Sequence, residues 1–185
     1  MKRVIGVECW ADAYFFGRLI KQNELIRKEK NKPEVFKSIF DRSKDSFNIG
    51  IVDNDGEKIE SFLREYVIEQ RVSIGGFGEV LKIAGKPWFI IQLAPVEFEN
   101  WVAKFLDGFC ERKLVDFGYG NIKEFCADSK VTQDKLLRKE KLLGVFNYVL
   151  QEFEKTDNYI KQTKRILEYL VNSNYQADLN KIANG

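Results

Sequence analysis

Two short stretches of the chain are apolar at nearly every position and rich in β-branched residues: Arg3–Val7 (RVIGV) and Phe47–Val52 (FNIGIV). Each stops at acids, as a strand buried on both faces does when it reaches a loop. Elsewhere the apolar residues recur at threes and fours. Residues 13–22 present Tyr14, Phe15, Leu19 and Ile20, and the chain after Pro33 presents Val35, Phe36, Ile39 and Phe40. Residues 57–70 present Ile59, Phe62, Leu63 and Tyr66. Each spacing predicts a helix, the second opened by Pro33, whose fixed φ suits a first helical turn. Strands alternating with helices predict an α/β fold with a mostly parallel central sheet flanked by helices.

Beyond residue 70 the pattern changes. Residues 72–78 (VSIGGFG) read as a turn-rich connection. Residues 79–83 and 87–93 read as two strands around the turn Ala84-Gly85-Lys86. Pro95 then precedes a helix over 96–106, carrying Phe98, Trp101, Val102 and Phe105. The last third is helical. Residues 132–153 space Leu136, Leu143, Phe146, Leu150 and Phe153 by threes, fours and sevens, and residues 157–171 repeat this with Ile160, Thr163, Leu167 and Leu170. The expected organisation is an α/β domain over 1–128 and a C-terminal helical hairpin over 129–185, packed on it.

Composition narrows the chemistry. The 185 residues are 44% hydrophobic and 14% aromatic, which excludes a disordered chain, and they include no histidine. Ser-His-Asp and Cys-His nucleophile systems are therefore excluded within this chain, as are histidine-ligated zinc and histidine general bases. Lys and Arg number 30 against 28 Asp and Glu, so the net charge of +2 makes no global case for nucleic acid, and only a local patch remains to be found. Cys9, Cys110 and Cys126 are odd in number and unpatterned, which predicts a reduced, cytoplasmic setting. The N-terminus reaches Glu8 too soon for a signal peptide, and no stretch is apolar for the ~20 residues a membrane span needs. A membrane partner is not expected.

The acids fall where chemistry is expected. Glu8 follows the first strand with Asp12 four residues later, and Asp53-Asn54-Asp55-Gly56 follows the second. Ligands of open α/β sheets bind at the carboxyl ends of strands. If the two strands are neighbours, Glu8, Asp53 and Asp55 converge, and a divalent cation relieves their repulsion. Oxygen ligands without histidine favour Mg²⁺ or Mn²⁺. A structural reading stands beside this one: Asp-Asn-Asp-Gly is good turn chemistry, and Glu8 or Asp12 suits the cap of a following helix.

Val7-Glu8-Cys9-Trp10-Ala11-Asp12 resembles the first motif of Toprim domains, in which a strand ends in Val-Glu-Gly, an Asp lies four residues after the Glu, and a helix begins. Ile51-Val52-Asp53-Asn54-Asp55-Gly56 resembles the second, an Asp-x-Asp after a later strand. Pro95-Val96-Glu97-Phe98-Glu99-Asn100 is similar to a downstream Glu-x-Glu-Asn segment of the overcoming-lysogenization-defect nucleases. The resemblance covers residues 3–106. It implies a Toprim-like fold and metal-dependent phosphodiester chemistry (a nuclease or related phosphotransfer enzyme) on DNA or RNA. Glu8 would be the general acid/base or a ligand of a second metal, and Asp53 and Asp55 would bind Mg²⁺. Asp12 would support the site, with Glu97 and Glu99 as weaker candidates because residues two apart on a helix do not face one point. Cys9 stands where the family has glycine. That departure raises the alternative of a catalytically degraded binding or regulatory protein with a protein partner or a second copy of itself.

Other strings carry less. Residues 74–80 (IGGFGEV) are similar to part of a kinase glycine-rich loop and Asp116-Phe117-Gly118 spells DFG, but no His-Arg-Asp loop exists and the two strings stand too close together. The lysines of residues 27–32 (RKEKNK) read as a solvated loop and also as a phosphate contact, and Lys135, Arg138, Lys139 and Lys141 as a solvated helix face. Trp10, Trp88 and Trp101 read as core before they read as base-stacking platforms.

Overall fold

The computed structural model describes residues 3–42, 47–56, 58–173 and 176–183. Six strands form one sheet in the order β2-β1-β3-β6-β5-β4. They are β1 (Arg3–Val7), β2 (Ile26–Lys28), β3 (Phe47–Val52), β4 (Ile68–Ser73), β5 (Gly78–Ile83) and β6 (Trp88–Leu93). The pairs β1–β2, β1–β3 and β3–β6 are parallel, whereas β5 runs antiparallel to both β6 and β4. The helices in chain order are α1 (Trp10–Ile20), α2 (Lys32–Lys37), α3 (Ile59–Phe62), α4 (Phe98–Phe109), α5 (Ile122–Ser129), α6 (Gln133–Leu136), α7 (Glu140–Glu152), α8 (Tyr159–Ser173) and α9 (Asn180–Ala183). No helix among the described residues is long and apolar enough to cross a membrane.

Strand periodicity sorts the side chains into two cores. β3 and β6 are buried at every position, as central strands covered on both faces must be. Ile49, Ile51, Phe89 and Ile91 point to one face, Val52, Trp88 and Ile90 to the other. The smaller core gathers Val35, Phe36 and Ile39 with Ile59 and Leu63 under α2 and α3. Gly50 permits the close approach of this layer, since a Cβ there would lie 2.6 Å from Ile39 Cδ1. The larger core takes α1, α4 and the C-terminal helices. Phe146 on α7 meets Phe15, Phe98 and Phe125, while the ring of Tyr159 on α8 lies 5.1 Å from that of Trp101 and its hydroxyl donates to the Trp101 carbonyl at 2.6 Å. The residues after 129 thus belong to the same apolar core as the sheet.

Three expectations are corrected. The helix expected over 57–70 ends at Phe62, and the chain from Ile68 pairs as β4, with every second residue half-buried. Backbone pairing with β5 overrode a helical stripe only two turns long. The lysine-rich stretch at 27–32 begins in β2, a short edge strand on β1, and Asn31 then caps α2. The helix expected over 132–153 is broken into α6 and α7. Helix α5 carried no prediction, because its apolar residues, Ile122 and Phe125, form too short a stripe. As for a C-terminal hairpin, α7 lies against α1, α4 and α5, and α8 against α1.

Candidate functional site

Parallel pairing of β1 with β3 sets Val7 opposite Ile51, so both chains leave the same edge of the sheet and the acids that follow them meet there. Glu8 Oε1 accepts the backbone N–H of Asp53 at 2.8 Å. Asp12 sits in the first turn of α1, 5% exposed, behind them. Cys9 caps that helix: Asp12 Oδ2 accepts the Cys9 amide at 3.0 Å, Asp12 Oδ1 accepts the thiol at 3.1 Å, and the sulfur accepts the Asp12 amide at 3.4 Å. This is a capping box with a thiol in the place usually held by a hydroxyl. The structural use of Asp12 weighed in the sequence is therefore present, and both its oxygens are engaged.

The Asp-x-Asp pair divides. Asp53 stays at the sheet edge beside Glu8. Asp55 turns away to Lys32, whose buried ammonium lies 3.0 Å from Asp55 Oδ1 and also donates to the Asp55 carbonyl at 2.5 Å. Between them Asn54 is fixed by its amide to the Val96 carbonyl at 2.7 Å and by Gln92 Nε2 to its Oδ1 at 2.9 Å. Gln92 lies at the end of β6, so three parallel strand ends organise the loop. Gly56 takes the positive φ of 56° that lets the turn close.

Burial makes this edge costly for charge. Desolvation, and then the charges of Asp12, Glu8 and Glu99, push the Asp53 carboxyl up to about 10. Burial and the charge of Glu99 push Asp12 up to about 7. Glu8 is raised by burial against the pull of the Asp53 amide and the Lys32 charge, and Glu99 is raised by burial against the Ser129 hydroxyl that donates to it. The Cys9 thiol is raised by burial and by Asp12, which makes it a cap and not a nucleophile.

Glu97 and Glu99 converge, contrary to expectation. Glu97 is the extended residue before α4, with φ −107° and ψ 161°, so helical spacing does not govern the pair. One ligand atom from each of Glu97, Glu99 and Cys126 lies within 4.8 Å of the others. Lys130 pairs with Glu97 at 3.0 Å and shares the charge of this group. Cys126, which no spacing in the sequence singled out, arrives there on α5. Among the described residues, that is the group of three whose ligand atoms lie this close together, and Glu8, Asp53 and Asp55 form no such group.

Do the residues at the sheet edge fit a divalent cation? The donors are carboxylate oxygens in a place where they raise one another's proton affinity, and the buried cation at hand is Lys32. A hard dication would satisfy that imbalance, and Glu8 and Asp53 would be the residues to hold it, with Asp55 if it were released from Lys32. Compared with known proteins, the chain matches no protein-family model, no curated protein and no solved structure.

Proposed function

We propose that the chain is a Mg²⁺- or Mn²⁺-dependent phosphodiester enzyme of Toprim-like architecture, a nuclease or related phosphotransfer enzyme of the reduced cytoplasm. The observation that carries the reading is the meeting of Glu8 and Asp53 at the ends of adjacent parallel strands, where burial and then the charges of Asp12, Glu8 and Glu99 raise the Asp53 carboxyl to about 10. Glu8 and Asp53 would hold the cation, joined by Asp55. When bound, the cation orients water and offsets charge on the phosphoryl oxygens. Glu8 would also move a proton, since burial keeps its proton affinity above that of a surface glutamate. Asp12 supports the site by fixing Cys9 and the start of α1.

The second reading, a degraded member that binds without cleaving, is favoured by Cys9, whose side chain fills the position of the family's glycine and ties up Asp12. One experiment separates them. Mg²⁺ or Mn²⁺ raises the melting temperature of the wild type, Asp53→Asn loses the shift, and labelled DNA or RNA is cleaved only with metal. Absence of both the shift and cleavage overturns the enzyme reading. A shift without cleavage selects the second.

A further inference from the structure

A cleft of about 470 Å³ opens beside Glu8, lined by Cys9 and Trp10 and by four lysines from two distant parts of the chain. Lys28 is the last residue of β2, set opposite Val7 by the parallel register, and Lys30 follows it. Lys130 ends α5 and Lys135 lies on α6. Lys130 is matched by Glu97, but Lys28, Lys30 and Lys135 form no salt bridge among the described residues, and the Lys28 ammonium stands 5.9 Å from the Trp10 ring. In a chain whose net charge is only +2, three unmatched lysines facing one concavity are a local patch that composition conceals.

We infer that this cleft binds the phosphate backbone of a single-stranded nucleic acid, with Trp10 as a stacking platform, and leads it past Glu8. Spaced ammonium groups along a groove match successive phosphates, and an aromatic ring among them accepts any base. A concavity of this volume takes a ligand of nucleotide size, whereas the convex surface of a duplex does not enter it. The segment after residue 129 then has a role beyond closing the core: it supplies one wall of the cleft. The inference rests on the phosphodiester reading only for what happens at Glu8, since binding to the lysines requires no metal.

The test is fluorescence anisotropy of a labelled mixed-sequence single strand with EDTA present, over a series of salt concentrations. Wild type binds the single strand more tightly than the duplex, and log affinity falls by about 0.7 per phosphate contact for each tenfold rise in salt. Lys30→Gln with Lys135→Gln, both on the exposed rim, weakens binding about tenfold and lowers the salt slope by about 1 to 1.5. Lys104→Gln, on the exposed face of α4, leaves binding unchanged, and Asp53→Asn retains it. Equal binding by the double variant and the wild type overturns the inference, as does a preference for duplex or equal competition by polyglutamate. Strand binding without metal-dependent cleavage overturns the phosphodiester reading alone. Cleavage that the double variant performs as well as wild type overturns the cleft alone.

Discussion

The backbone N–H of Asp53 donates to Glu8 Oε1 at 2.8 Å, joining two strand ends that lie 45 residues apart in the chain. The contact exists because β1 and β3 are parallel neighbours in register, and it turns one carboxylate oxygen of Glu8 toward the main chain. The acids around it are buried faster than they are neutralised. Four predictions follow from that imbalance and from the packing that enforces it.

Without metal, stability falls as pH rises. A carboxyl that holds its proton more tightly when folded contributes stability that is complete below the unfolded value near 4 and is lost as pH climbs through the folded value. For Asp12 and Asp53 those folded values are about 7 and about 10, and Glu8 and Glu99 move in the same direction. The melting temperature in EDTA therefore declines from pH 5 to pH 9, and Asp53→Asn flattens the upper part of the decline. Saturating Mg²⁺ reduces it as well. A profile that is level or rising over this range would show that the acids are not thermodynamically coupled to folding.

Lys32 acts as an internal cation at the mouth of the site. Lys32→Met removes the ammonium from Asp55 and from the field that lowers the proton affinity of Glu8. Urea denaturation without metal loses about 1.5–3 kcal/mol, the range for a hydrogen bond to a charged group. The thermal shift produced by Mg²⁺ grows, because Asp55 is released for the cation. A smaller shift in the variant would show that Lys32 supports the cation site instead of competing with it.

The C-terminal helices melt together with the sheet. Phe146 on α7 is fully buried against Phe15, Phe98 and Phe125. Phe146→Ala destabilises by about 3–5 kcal/mol, and calorimetry shows one transition in both proteins. Two transitions, the first alone shifted by the substitution, would mean that residues 129–185 fold as a separate unit.

Glycine is required at one end of β5 and dispensable near the end of α4. At Gly78, φ is 156° and a Cβ would lie 2.6 Å from the carbonyl oxygen of Gln92, the residue whose side chain holds Asn54. Gly78→Ala costs about 1–3 kcal/mol and weakens the Mg²⁺-induced shift by displacing the Asp53 loop. Gly108 has nothing within 4 Å of its would-be Cβ. Gly108→Ala stabilises by up to about 1 kcal/mol, the helical preference of Ala over Gly. Denaturation midpoints of the two variants moving in the same direction would contradict this.

Local pattern carried the strands further than the helices. Arg3–Val7 and Phe47–Val52 were legible to the residue, because a strand buried on both faces leaves an unbroken apolar run ending in acids. β2 was not, because at the edge of a sheet Ile26, Arg27 and Lys28 need only backbone pairing and present no pattern. The start of β4 reads as the tail of a helix, since Ile59 to Tyr66 fit a helical stripe and the competing partner strand lies later in the chain. Helical spacing makes Glu97 and Glu99 the weaker candidates, but that geometry stops applying one residue before α4 begins.

The sequence by itself determined the chemical vocabulary of this protein: carboxylates, lysines and aromatics, with no imidazole, and acids at the ends of two strands. Those are properties of residue type and of short-range periodicity, which survive in a one-dimensional string. Tertiary structure alone decided the grouping. Parallel pairing brought Asp53 to Glu8 while Lys32 drew Asp55 aside, and α5 delivered Cys126 to Glu97 and Glu99. The same folding set Lys130 and Lys135 across a cleft from Lys28 and Lys30. Such neighbours are fixed by which strands pair and which helices share a core, and that choice depends on the summed burial of the whole chain.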